Sequence, residues 1–158
     1  MARHFLSPKA LPCLALLAML GSCASPPAPK KPSVAQASIN VAADVNPDAH
    51  GRPSPVVVRL FELKALGGFQ NGDFFSLYER GKEVLGGDLL ASEEMVLRPG
   101  EKKRFERPLQ VDTRFVAAVA AFRDLDRAMW RATVAIPPNQ TVPITIKLKT
   151  REISITDK

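Results

Sequence analysis

The body of this 158-residue chain reads as a mainly β fold, a two-sheet antiparallel β-sandwich with one inserted helix, and three observations predict it. From Ala37 onward the dominant hydrophobic period is two, which turns one set of side chains to a core and the other to water. One stretch among the strands has helical spacing instead. Clusters of Pro, Gly, Asn and Asp separate the alternating segments at short intervals.

Ahead of that body, Arg3, His4 and Lys9 give a basic start, and residues 10–20 are almost wholly apolar. Such a stretch is too short to cross roughly 30 Å of hydrocarbon as a helix, which takes about 20 residues. A basic start, a short apolar run and small residues at its end describe an export signal peptide over residues 1–22. Its end, Leu20-Gly21-Ser22-Cys23, resembles the lipobox of bacterial lipoproteins, an aliphatic residue and two small ones before a cysteine. The resemblance implies cleavage between Ser22 and Cys23, a diacylglycerol thioether on Cys23, and acylation of the new amino terminus. Under lipoprotein-sorting rules, Ala24 rather than Asp after the cysteine favours the outer membrane, with the chain on its periplasmic face.

Cysteine use agrees. Cys13 leaves with the signal and Cys23 carries lipid, so an exported domain without disulfides must rest on its core. Cleavage leaves 136 residues and removes two of the 22 basic side chains, so the formal charge falls from +6 to +4. That excess is mild and forms no stripe for nucleic acid. Residues 23–36 then read as a tether. Pro26, Pro27, Pro29 and Pro32 favour polyproline II, a semi-rigid spacer of about 3.1 Å per residue. Three acyl chains give lasting attachment where one does not.

The sandwich domain is assigned to residues 37–158. Ile39, Val41, Ala43 and Val45 alternate with Asn40, Ala42 and Asp44 as a first strand. The segments SPVVVRLFELK (54–64) and RFVAAVAAFR (114–123) are apolar on both faces and read as central strands. Residues 71–87 carry the helix: Phe74, Leu77, Tyr78, Val84 and Leu85 share a helical spacing, Asp73 or Asn71 is the N-cap, and Gly86-Gly87 ends it. Gly81 is a weak point inside it. Phe105, Leu109 and Val111 suggest a strand that Pro108 confines to an edge or bulge. Trp130, Ala132, Val134 and Ile136 share the core face of another, as do Val142, Ile144, Ile146 and Leu148, and Ile153 with Ile155 closes the chain. LRPGEK and IPPNQT are turns.

Catalytic chemistry is thinly represented. His50, the one histidine of the mature chain, stands near Asp48 in a loop, and a metal site would need further ligands. Ser54 and Ser76 have no triad partners. Asp124 and Asp126, flanked by Arg123 and Arg127, read with Arg131 as residues that staple a turn. No enzymatic activity, cofactor or metal is expected.

Two stretches are distinctive, NPDAHGRPSPVVVRLFEL (46–63) and VAAFRDLDRAMWR (119–131). With the FFSLYE helix and the lipobox, they resemble the outer-membrane lipoprotein of type VI secretion systems, the TssJ (SciN) family. The resemblance runs from about Ile39 to Ile155 and implies a transthyretin-like sandwich without enzymatic activity. It implies a role in tethering the periplasmic domain of the inner-membrane protein TssM to the outer membrane, with TssL in the same complex. The family's contact with TssM falls on the loop between the first two strands, here residues 46–55, which assigns Asn46, Asp48, His50, Gly51, Arg52 and Ser54 to partner binding. Three prolines there lower the entropy lost on docking, and Arg52 suits a partner carboxylate. A competing reading is a stand-alone periplasmic ligand carrier or inhibitor on a similar sandwich, which needs a cavity of a few hundred Å³.

Overall fold

Two sheets of four strands and a helical layer account for residues 31–158, the part of the chain that the computed structural model describes. The expected signal peptide, Ser22, Cys23 and the start of the tether lie outside the described residues. In chain order the elements are β1 (Val34–Val41), β2 (Val56–Leu63), α1 (Gly67–Asn71), α2 (Phe74–Leu85), β3 (Leu89–Leu97), β4 (Lys102–Pro108), β5 (Phe115–Ala121), β6 (Arg131–Ala135), β7 (Thr141–Lys149) and β8 (Glu152–Thr156). One sheet has the order β4-β1-β7-β8, the other β3-β2-β5-β6.

Every pairing is antiparallel except β1 with β7, where Ala37 lies opposite Ile144 and Ile39 opposite Ile146 in parallel. The expected all-antiparallel sandwich is corrected at that one seam. A period of two looks the same in either direction, so alternation carries no information on strand orientation.

The sheets enclose one core, which includes Ile39, Val58, Leu60, Leu97, Ala118, Ile146 and Leu148. A second core lies on the outer face of the β2–β5 pair, where Phe61, Leu63, Ala117 and Val119 meet Phe69, Phe74, Leu77 and Leu85 of the helices. This explains why β2 and β5 are apolar on both faces. Val56, Val58 and Leu60 point to the first core, and Phe61 and Leu63 to the second.

The helix forms where its spacing predicted. Asp73 accepts the Ser76 N–H at 3.0 Å as the N-cap, and Gly86, at φ +50°, ends α2. Beside Gly81 the helix departs from helical angles at Arg80 (φ −123°, ψ 30°). A Cβ on Gly81 would stand 3.1 Å from the Phe61 ring, so close packing against β2 accounts for the glycine.

Several bounds differ from the reading of the sequence. β1 starts at Val34, inside the expected tether, and ends at Val41; Val45 is buried beyond its end. β4 starts at Lys102 and stops at Pro108 on a sheet edge, leaving Leu109 buried in a loop and Val111 exposed. β3 and the short α1 were not legible. β3 is an edge strand whose Glu93 and Glu94 break any alternation, and α1 is one turn of glycine-rich chain.

β1 joins two opposite ends of the sandwich. At its start the Val34 N–H donates to the Gln140 carbonyl at 2.9 Å, and just before it Ser33 Oγ donates to the Pro137 carbonyl at 2.8 Å. At its last, the Val41 N–H donates to Glu101 at 2.9 Å, and the chain enters the loop toward Pro55. Eight strand residues at about 3.3 Å each separate these ends by roughly 26 Å.

Candidate docking surface

The far end of β1 carries the loop that the sequence singled out. Its base is built from Asn46 and Ser54, both buried. Asn46 sits at φ +50°, a conformation Asn tolerates better than most residues. Its Nδ2 donates to the Pro55 carbonyl at 2.7 Å, and its Oδ1 accepts the Arg123 N–H at 2.8 Å. The Ser54 N–H donates to the Val45 carbonyl at 3.1 Å. Of the six residues expected to bind a partner, these two are buried, and Asn46 spends both its side-chain polar atoms on the loop base.

The tip is organised by Asp48. Its Oδ1 accepts the N–H groups of His50 (2.8 Å) and Arg52 (3.0 Å), and its Oδ2 accepts Arg52 Nε at 2.8 Å. Arg52 Nη2 stands 2.7 Å from the same oxygen, so the guanidinium engages it with two nitrogens. Gly51, at φ +77°, makes the reversal that a side chain would strain. The Arg52 N–H, then its guanidinium, hold the Asp48 carboxyl below its ordinary range, helped by the His50 N–H and the charge of Arg123. His50, Gly51 and Arg52 are exposed.

Beside the tip lies an open cleft of about 470 Å³, lined by Pro47, Asp48, Ala49, Arg123, Asp124, Arg127 and Arg151. Asp124 accepts Arg151 Nε at 2.9 Å, and Arg127 Nη1 stands 3.9 Å away. The expected staple is thus corrected in its partners. Asp124 ties the turn to the β7–β8 connection, while Arg131 faces elsewhere and donates to the carbonyls of Gln70 (2.8 Å) and Gly72 (3.1 Å) at the end of α1. Trp130 is half-buried against both cores, its ring 5.4 Å from Phe74 in an edge-to-face contact. Arg151 was not singled out from the sequence. Its only signal was a Thr-Arg turn between two alternating strands.

This arrangement suits binding. The Ser76 hydroxyl donates to Asp73, the N-cap of α2, Ser54 is buried in the loop base, and His50 is an exposed tip residue. Among the described residues no three His, Cys, Asp or Glu side chains converge on a metal-sized site. The cavity between the sheets beside Phe105 is about 10 Å³, room for no more than about one water.

The profile of the type VI secretion lipoprotein family (VasD, EvfM, TssJ) matches residues 33–151. The chain belongs to this family. Its members are structural lipoproteins of a secretion apparatus, not enzymes. The crystal structure of the type VI secretion lipoprotein TssJ1 from Pseudomonas aeruginosa is 39% identical, with a TM-score of 0.78 over 80% of this chain and 97% of that one. Lip of Serratia marcescens, described as a membrane-bound component of the type VI secretion system, is 25% identical, with a TM-score of 0.71 over 78% and 96%. A chain of a type VI membrane complex is 26% identical, with a TM-score of 0.67 over 82% and 99%. No curated protein matches. The family match includes the whole loop of residues 46–55 and reaches Arg151, the last residue of the cleft.

Proposed function

We propose that this chain is the outer-membrane lipoprotein of a type VI secretion membrane complex, anchored through lipid on Cys23. It tethers the periplasmic domain of TssM, with TssL in the same complex, to the outer membrane. The observation that carries the reading is the polarity of β1. The chain arrives from the tether at one end of this strand and enters the docking loop at the other, about 26 Å away. An anchor and a partner placed so pull against opposite ends of one strand, which is held by β4 on one side and β7 on the other.

Cleavage between Ser22 and Cys23 leaves a spacer that joins the fold near Lys31, whose N–H donates to Asn139 Oδ1 at 3.2 Å. Asp48, His50, Gly51 and Arg52 form the contact, and Asn46 and Ser54 hold it in shape. Two measurements test the proposal together. Cys23→Ser should abolish incorporation of a palmitate analogue and release the protein from outer-membrane fractions. Calorimetric titration with the periplasmic region of TssM should show saturable binding. Continued labelling of the variant overturns the anchor, and absence of binding overturns the tether.

A further inference from the structure

We infer that the cleft between the docking loop and the turn at residues 123–127 receives carboxylates from an acidic segment of the partner chain. The inference rests on the docking role proposed for this end of the molecule and names the chemistry that the end recognises.

The charge balance is the first ground. Arg52, Arg123, Arg127 and Arg151 surround the tip and cleft, against Asp48 and Asp124. Both carboxylates are committed, Asp48 to Arg52 and two backbone N–H groups, and Asp124 to Arg151. Arg127 is 80% exposed at its side chain and only 3.9 Å from the already engaged Asp124. Arg123 is exposed too, and close enough for its charge to act on Asp48. Asp126 is exposed and does not line the cleft. Two guanidinium groups are thus left facing an open cavity, and the guanidinium fork matches a carboxylate in two parallel hydrogen bonds.

Preorganisation is the second ground. The Asn46–Arg123 hydrogen bond fixes the loop against the turn, the Asp48 bonds fix the tip, and the Asp124–Arg151 pair fixes the third wall. A cleft assembled from three connections and already rigid loses little entropy when a segment enters it. The Met129 N–H, which donates to the Arg151 carbonyl at 2.9 Å, ties that wall to the segment before β6. The occupant is therefore an acidic segment. A lipid surface fits less well, because the cleft is concave and lies at the end of β1 away from the tether.

The test uses the full-length processed lipoprotein in detergent. The Arg123→Ala/Arg127→Ala variant should weaken binding of the periplasmic region of TssM by about tenfold or more and flatten its salt dependence. The Arg123→Lys/Arg127→Lys variant should keep the salt dependence with part of the affinity. Equal affinity and an equal salt slope in the alanine variant overturn the inference while leaving the tether standing. A glutamate-rich decapeptide followed by amide chemical shifts supplies an arm independent of TssM. Shifts at Ala49, Arg123, Arg127 and Arg151 support the cleft, and shifts confined elsewhere, or none, overturn it even if TssM binds. Loss of binding to phosphatidylglycerol vesicles in the alanine variant, with TssM affinity unchanged, assigns the arginines to lipid and also overturns it.

Discussion

Asn46 and Arg123 are 77 residues apart in sequence, yet the side-chain oxygen of the first accepts the backbone N–H of the second at 2.8 Å. That bond makes the loop after β1 and the turn after β5 a single surface. Asn46 uses its other side-chain atom to close its own loop on Pro55. Replacing it strands a part-buried carbonyl and a part-buried N–H at once, and gives up a residue suited to φ > 0. Asn46→Ala should therefore lower stability by about 2–4 kcal/mol in urea unfolding, and amide exchange at Arg123 should speed up more than exchange in β7.

Acid should loosen the tip before it touches the sandwich. The N–H and guanidinium of Arg52 stabilise the charged form of Asp48 and depress its folded pKa, and the hydroxyl and N–H of Ser76 do the same for Asp73 at the start of α2. A carboxyl depressed by folding adds stability above its unfolded value and loses it as pH falls through the folded one. No change is expected between pH 5 and 8, and a loss is expected below about pH 4. The Arg52 Nε–H resonance should report this loss, and Asp48→Asn should remove the transition from that window.

The sequence exposes what repeats and conceals what occurs once. β7 and β8 were legible because Val142 to Leu148 and Ile153 to Ile155 keep one face dry and the other wet. β2 and β5 were legible for the opposite reason, being apolar throughout, and the helical layer over Phe61 and Val119 explains that composition. β3 escaped because an edge strand with Ser92, Glu93 and Glu94 in succession has no period to detect. At the candidate site, the turn chemistry of Asn46 to Pro55 was visible, but not its division into a buried base and an exposed tip. Arg151 and Asp124 are 27 residues apart, and only the fold brings them together.

Gly72 shows how tightly the second core is closed. An added Cβ would stand 2.7 Å from Cγ of Leu77, which is fully buried, and 3.1 Å from the Gly68 carbonyl. Nothing on that side can yield without moving α2 off the sheet. Gly72→Ala should cost about 1–3 kcal/mol, and the loss should appear in thermal unfolding. Gly67→Ala, where a Cβ meets nothing within 4 Å, is the neutral control.

Glu62 is the polar exception inside β2. It is 5% exposed, and its Oε2 accepts the Gln110 N–H at 2.7 Å and the Thr113 hydroxyl at 2.9 Å. Its Oε1 lies 3.5 Å from Arg107, which also pairs with Glu93. Through these bonds β4 of one sheet is held to β2 and β3 of the other along their open side. Glu62→Ala leaves buried donors without an acceptor and should cost about 2–4 kcal/mol in urea unfolding. Glu62→Gln keeps one acceptor oxygen and should cost less.

The docking tip should be separable from the fold. Replacing residues 48–52 with Gly-Gly spares Asn46 and Ser54, whose bonds to Pro55, Arg123 and Val45 close the loop base, so unfolding should change by less than about 1 kcal/mol. TssM binding should fall below detection in calorimetry. Arg52→Ala gives the sharper result. The Arg52–Asp48 pair is exposed, and such pairs contribute only about 0–1 kcal/mol to stability, so the fold should not respond. Binding should respond, because the substitution frees the Asp48 carboxylate at the edge of the cleft, where it repels an acidic partner. The double variant Asp48→Ala/Arg52→Ala removes both charges and should bind more tightly than Arg52→Ala alone. A double variant that binds no better than Arg52→Ala would mean that Arg52 itself meets the partner and that Asp48 serves only to aim it.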